Sequence, residues 1–368
     1  DFPVLIEITD SSLAEKAQPD GDDFVFTDAN NVKLDHQIEY YNSATGHLIA
    51  WVKVPYLSPT TDTVLYMYYG NLNCASQQNP TGVWNSSYMF VLHLNEETGT
   101  HYDSTLYRNN GTPLNGILQG VPGQIDGADT FDGINDYIAI PHSNALTGYT
   151  EAFTISFWIK IEDTGRRQTL LCKYNTAGNM RSWQIEYDPT WQRPFWLFAS
   201  ENGITYSEWW ASWDAFKPEP GVWYYLTVVW EKNSIPKFYV NCVQVPTVGT
   251  GKISSIFNNV GVPLYIGRSV YSTRYFKGSL DEIIILNRTL SANWILTAYN
   301  NQRNPAAFYT IGPEEQYAGT SSNSLQAGNI NNSYTQQEIS LAYLSPITLL
   351  AAVPVSLNIR RSKKRENK

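Results

Sequence analysis

Tryptophans and carboxylates are the side chains here whose types and spacing could bind or transform a ligand. Seven of the twelve tryptophans fall between Gln168 and Tyr224. Aromatic rings bind sugars by stacking on their apolar faces, while polar side chains fix orientation. Trp191, Trp209, Trp210 and Trp213 are therefore candidate ligand-binding residues, with carbohydrate as the ligand class. Successive side chains on a strand alternate faces. At least one of the adjacent pair Trp209 and Trp210 must then be exposed or cover another element. The alternative is that these rings fill the core of a wide sandwich. Among the carboxylates, Glu186 and Asp188 have the spacing of one strand face, but Pro189, Thr190 and Trp191 follow with no third acid. Asp281 and Glu282 are neighbours, so the alternation predicts opposite faces. The loop Asp103 to Gly111 is rich in the side-chain and carbonyl oxygens that a hard cation takes as ligands. The acidic run Asp20, Asp22, Asp23 and Asp28 has its glycine, Gly21, in the wrong place for a calcium loop and reads as a solvated turn. His36, His47, His93, His101 and His142 are scattered, and no Gly-x-Ser-x-Gly pattern supplies a nucleophile. No catalysis is expected.

The elements that must position these residues are strands. Phe153 to Lys160 alternates apolar and polar with period two, the mark of a strand with one face on a core. Tyr137 to Ile140 is a second apolar run, entered from the turn Asp132-Gly133-Ile134-Asn135-Asp136. Two runs, around Trp51 to Val54 and Val64 to Tyr68, flank a Ser-Pro-Thr-Thr-Asp segment and read as a hairpin. Ala292 to Asn301 reads as a short helix with Ser291 as N-cap. Pro305 to Gly312 returns as a last strand. The fold class is all-β.

A chain of 368 residues with 14% aromatic and only 16% charged residues suits two β-rich extracellular domains. The net charge is −9 in all, and the last nine residues alone carry +5, which leaves −14 on the rest. An acidic body repels phosphate backbones, so nucleic acid is excluded as a partner. Cys74, Cys172 and Cys242 make no zinc motif. Cys172 and Cys242 could be bridged, or all three could be free thiols packed as small hydrophobes. Asn-x-Ser/Thr sequons at Asn85, Asn110, Asn287 and Asn331 fit an exported glycoprotein.

Five segments in order carry a resemblance: FDGINDYIAIP with FTISFWIK, Trp223 to Trp230, Pro263 to Arg268, Phe276 to Ile283, and Asn287 to Ser291. Together they resemble the laminin-G-like, concanavalin-A-like jelly rolls over about residues 91–315. That fold hosts lectins, adhesion modules, glycanases and spacers, so it does not fix function. Residues 1–88 are similar to the domain of unknown function 2341, a module often found before laminin-G-like domains. The matching pieces are Phe2 to Leu5, Asp22 to Asp28, Ile38 to Tyr41, Ala50 to Pro55 and Leu65 to Asn71. That module usually starts with one more strand upstream, which implies that the sequence is a fragment. The loop from Asp103 resembles one that often wraps calcium in the jelly-roll family, with a partner carboxylate from the late Gly-x-Leu-Asp-Glu motif. The resemblance points to Asp103, Asp281 and Asn110 as ligands of Ca2+. The competing reading makes Asp103 and Asp281 turn caps. Family glucanases use a Glu-x-Asp-x-x-Glu strand, which Glu186 and Asp188 match only in part.

The tail reads differently. Residues 316–338 have the composition of a flexible linker. Residues 339–359 are mostly apolar and 360–368 are basic, the pattern of a transmembrane anchor with a cytoplasmic tail. The alternative is a tail that adds a strand to a neighbour. The expected organisation is a β-sandwich module (1–88), a jelly roll (89–315), a linker and a single membrane helix. The expected role is a prokaryotic cell-surface binding or adhesion protein, non-catalytic, that recognises carbohydrate or a surface glycoprotein. Its alternatives are a self-associating structural or filament subunit and a glycoside hydrolase-like protein.

Overall fold

The computed structural model describes residues 1–270, 273–317 and 334–342. Among these, the strands form four sheets. One has three strands in the order β1 (Phe2–Thr9), β5 (His47–Val54), β4 (His36–Asn42). A second runs β23 (Tyr309–Tyr317), β24 (Tyr334–Leu341), β6 (Thr63–Tyr69), β2 (Val25–Asp28), β3 (Lys33–Leu34). A third runs β19 (Val243–Val245), β18 (Lys237–Val240), β17 (Trp223–Glu231), β12 (Ala152–Ile161), β22 (Lys277–Leu286), β10 (Gly127–Asp132), β9 (Leu118–Pro122), with β7 (Tyr88–Leu92) also on β22. The fourth runs β20 (Thr247–Thr250), β16 (Ser207–Ala211), β15 (Arg193–Ala199), β14 (Met180–Asp188), β13 (Gln168–Asn175), β21 (Leu264–Ile266), β11 (Tyr137–Ile140), β8 (Thr112–Leu114).

These sheets stack in four layers with three apolar fillings. The five- and three-stranded sheets close on Val4, Ile6, Phe24, Phe26, Val52 and Met67. The two large sheets close on Phe90, Phe157, Ile159, Trp183, Leu197 and Trp230. The third filling lies between the outer faces of the three-stranded sheet and β12–β17. It joins Leu5, Ile49 and Trp51 to Trp158, Tyr225 and Ile284, with Tyr299 of the helix Ala292–Arg303. This seam changes the reading of β12. The strand is buried on both faces rather than one, because Trp158 faces the first domain while Phe157 and Ile159 face the jelly-roll core. The turn after β10 forms as expected. Asp132 accepts from the backbone of Ile134 and Asn135, and Gly133 takes a positive φ beside Lys277.

Three expectations are corrected. Trp51–Val54 and Val64–Tyr68 do not pair as a hairpin: β5 and β6 lie in opposite sheets of the first domain. The strand β23 belongs to the first domain and not to the jelly roll, so that domain draws on segments before and after the jelly roll, which is inserted between them. Residues 334–338 of the expected linker and 339–341 of the expected anchor form β24, which pairs with both β23 and β6. An apolar stretch can fill a sheet as readily as a bilayer, and here Ile339 and Leu341 are buried in the first domain. No described helix is long and apolar enough to cross a membrane, and residues 343–359 of the anchor and the basic tail, with sequon Asn331, lie outside the described residues. The cysteines are free, so Cys172 and Cys242 are not bridged.

A fourth correction concerns Asp281 and Glu282. Leu280 and Ile283 both face the jelly-roll core, yet two residues separate them. The ladder between β12 and β22 shifts register there, and Glu282 takes φ +53°. This is a β-bulge, which breaks alternation and re-aims side chains. Both carboxylates are fully buried as a result.

Candidate functional site on the outer face of the jelly roll

Along β14, β15 and β16 the core-facing residues alternate, with one register shift in the β14–β15 ladder between Glu186 and Asp188. Trp183, Ile185, Leu197, Trp209 and Ala211 point into the core. Their neighbours Glu186, Trp196, Phe198, Glu208 and Trp210 therefore project from the opposite face. Register places Trp196 beside Trp210 and Glu186 beside Trp196. The adjacent tryptophans are thus divided. Trp209 is fully buried, donates to Gly251 O at 3.1 Å and is unavailable to a ligand. Trp210 is half-buried on the outer face.

Arginine organises this face. The Arg193 guanidinium lies 3.9 Å from the ring centres of both Trp196 and Trp210, and 5.1 Å from that of Trp191. Arg167 lies 4.1 Å from Trp196. Two guanidiniums this close to one ring must take opposite faces, so Trp196 is sandwiched and only 1% exposed. Glu208 anchors Arg193 at 3.4 Å. Trp191 sits on the tight turn from β14 to β15. Asp188 makes that turn by accepting from Thr190 N, Thr190 Oγ1 and Trp191 N, and Gln192 completes it with φ +56°. The turn leaves Trp191 61% exposed. Tyr206, 52% exposed, extends the aromatic surface by packing edge-on to Phe198 and Tyr174.

The structure therefore brings Trp191 and Trp210 together through Arg193 and separates them from Trp209 and Trp213. Trp213 packs against the core with Lys217 over its ring at 5.4 Å. Sequence reasoning missed Arg193, Arg167 and Trp196. No local motif could have found them, because cross-strand register, not spacing along the chain, sets their meeting.

The acids have structural partners. Glu186 is buried against Arg167, Arg274 at 3.3 Å and Thr169 Oγ1 at 2.9 Å, so both its oxygens are engaged. Asp103 accepts from Val91 N, Thr105 N, Thr105 Oγ1 and Asn109 N. Four donors match the lone pairs of one carboxylate. Asn110 Oδ1 accepts from Asp103 N at 3.0 Å. Asp281 Oδ2 accepts from Gln124 N and Ile125 N. Among the described residues, a grouping of His and carboxylate atoms within metal-binding reach occurs elsewhere, at Glu39, His93 and Glu282.

Comparison with known proteins agrees with this architecture. Residues 132–296 match the model of the concanavalin A-like lectin/glucanases superfamily. The matched residues fall within the inserted domain. Residues 20–110 match the domain of unknown function 2341. No curated protein matches. Among solved structures, the chain is similar to the binding domain of Paraclostridial Mosquitocidal Protein 1, with 16% identity, a TM-score of 0.48, and 58% of this chain and 52% of that chain covered. It is similar also to the botulinum neurotoxin serotype D ligand binding domain in complex with N-acetylneuraminic acid, with 14% identity, a TM-score of 0.47, and coverage of 59% and 51%. In each case the chain spans about half the length of the structure it matches.

Proposed function

We propose that the protein is a non-catalytic cell-surface binding module. Its concanavalin A-like domain takes carbohydrate on the outer face of the sheet that contains β14, β15 and β16. The observation that carries this reading is the Trp191–Arg193–Trp210 platform. An exposed indole, a second indole and a guanidinium lie within one short reach. Stacking surface and hydrogen-bond donors side by side are what a sugar ring requires. An indole left 61% exposed adds little to the fold, so a ligand accounts for it better than packing does. Glu186 supports the non-catalytic part, since its carboxylate is held by two arginines and a threonine instead of facing open space. The test is a glycan array probed with the wild-type protein and with Trp210→Ala. A set of glycans bound by the first and lost or weakened about tenfold in the second is the expected result. Equal binding by both, or hydrolysis of a bound glycan, would sink the proposal.

A further inference from the structure

Within the seam between the two domains, three ionisable side chains meet at one place. There Glu39 on β4 meets His93, just after β7, and Glu282 on β22. His93 Nδ1 is 2.8 Å from Glu282 Oε1 and 3.3 Å from Glu39 Oε2. All three side chains are nearly or fully removed from solvent. Both carboxylates come from β-bulges. Glu282 is the bulged residue of β22, and the β4–β5 ladder shifts register between Ile38 and Tyr40, which makes Glu39 the extra residue there. Bulges of this kind re-aim a side chain that regular pairing would point elsewhere. Two of them, on different domains, converge on one imidazole nitrogen.

The hydrogen-bond directions around His93 are constrained. Trp84 Nε1 meets Gln37 Oε1 at 2.5 Å, and an indole can only donate. That fixes the Gln37 atom as the carbonyl oxygen, and Gln37 Nε2 turns to Ser104 Oγ at 2.8 Å. His93 Nε2 faces the same Oε1 at 3.4 Å, so it carries a proton. A neutral His93 then presents a bare Nδ1 lone pair to two carboxylate oxygens. With both carboxylates ionised, three acceptors face one another with no donor between them, an arrangement that burial disfavours by raising both glutamates' pKa. Trp51 Nε1 donates to Glu39 Oε2, but Glu39 Oε1 and Glu282 Oε2 are buried without any partner. The three ligand atoms lie within 4.8 Å of one another. A cation among them would turn a repulsive contact into three bonds, and the free oxygens could fill further positions. The Nε2–H to Gln37 contact, at 3.4 Å, is of the kind that orients a histidine when it binds a metal.

We propose that Glu39, His93 and Glu282 bind one divalent transition-metal ion, of zinc type, which clips the two domains together. The imidazole nitrogen selects this class over calcium, which takes oxygen ligands. The proposal is independent of the carbohydrate reading, since the seam and the aromatic platform share no residues.

The purified protein, stripped with a chelator and then given Zn2+, Co2+ or Ca2+, tests this. Expected are one zinc retained per chain, a higher melting temperature in Zn2+ than in chelator, and visible absorption bands on loading with Co2+. Glu39→Gln and Glu282→Gln should each weaken zinc at least tenfold. Should either variant fail to fold, the other variant and the wild-type melts decide. Identical wild-type melting in zinc and in chelator would overturn the site and leave an imidazolium shared by two carboxylates. Stabilisation by Ca2+ with none by Zn2+ would overturn it too, as would zinc retained undiminished in the folded variants.

Discussion

Two regions of this molecule are built from the same residue types and behave oppositely. The inter-domain seam and the outer face of the jelly roll are both paved with tryptophan and tyrosine, and both contain buried glutamates. At the seam, Trp51, Trp84 and Trp158 are at most 2% exposed and pack on a second domain. On the outer face, no second domain arrives among the described residues. Arginines cover Trp196 instead, and Trp191 is left in solvent. Aromatic content alone therefore does not mark a binding site. What separates the regions is whether another sheet has already claimed the rings.

The largest expected effect tests the seam. Trp158 stacks near Tyr225 and Tyr299, and its Nε1 donates to Gln302 at 2.8 Å. Trp158→Ala should lower unfolding free energy by about 3–5 kcal/mol in urea denaturation, the usual range for emptying a large buried aromatic site. A loss below about 1 kcal/mol would mean that the domains barely touch, and the contrast would collapse.

A second test uses pH. His101, at the base of the oxygen-rich loop, is fully buried between Glu96 and Asp129, each at 2.8 Å. Burial alone lowers its pKa, but the bonds to Asp129 and Glu96 and their charges outweigh that and raise it to about 9. A raised histidine stabilises the fold most below its unfolded pKa of about 6.5, and the contribution is lost as pH rises through about 9. The amount is about 3 kcal/mol. Wild-type stability should fall by that order between pH 6 and pH 10, and His101→Gln should remove most of the dependence. A flat wild-type profile would mean that the histidine is neutral throughout.

Asp103 comes next. Asp103→Asn replaces two acceptor oxygens by one and should cost about 1–3 kcal/mol. With all four donors supplied by protein, the loss should be equal in calcium and in chelator. A loss confined to calcium-loaded protein would support the loop as a cation site.

Much of this fold was legible in the sequence, because strand periodicity and turn chemistry are local. FTISFWIK and the Asp132–Asp136 turn form where the pattern puts them. The non-local facts were hidden. Nothing near Pro305 or Ile339 says that these segments travel back to the first domain, since their apolar residues fit any buried sheet. The bulges at Glu39 and Glu282 were equally silent, because a bulge shows only against its partner strand. The candidate site was half legible. Alternation required that Trp209 and Trp210 be divided, but which one faced out depended on the side taken by the core.

The smallest effect on stability is expected at Trp191, where it tells most about function. Its ring is 61% exposed and packs only loosely, with Trp196 at 5.7 Å and Arg193 at 5.1 Å between ring or charge centres. An exposed cation–π contact contributes ~0.5–1 kcal/mol at most, and removal of a solvent-exposed ring also removes an unfavourable surface. Trp191→Ala should therefore change unfolding free energy by less than about 0.5 kcal/mol. Affinity for a glycan identified on the array should nevertheless fall about tenfold, equivalent to about 1.4 kcal/mol, since a binding ring contributes only when it is covered by ligand. The two measurements together distinguish the regions. A seam tryptophan couples to stability, whereas a platform tryptophan couples to ligand. If Trp191→Ala destabilises the protein by several kcal/mol and leaves glycan binding intact, the outer face is a second packing surface, and the distinction between the two regions fails.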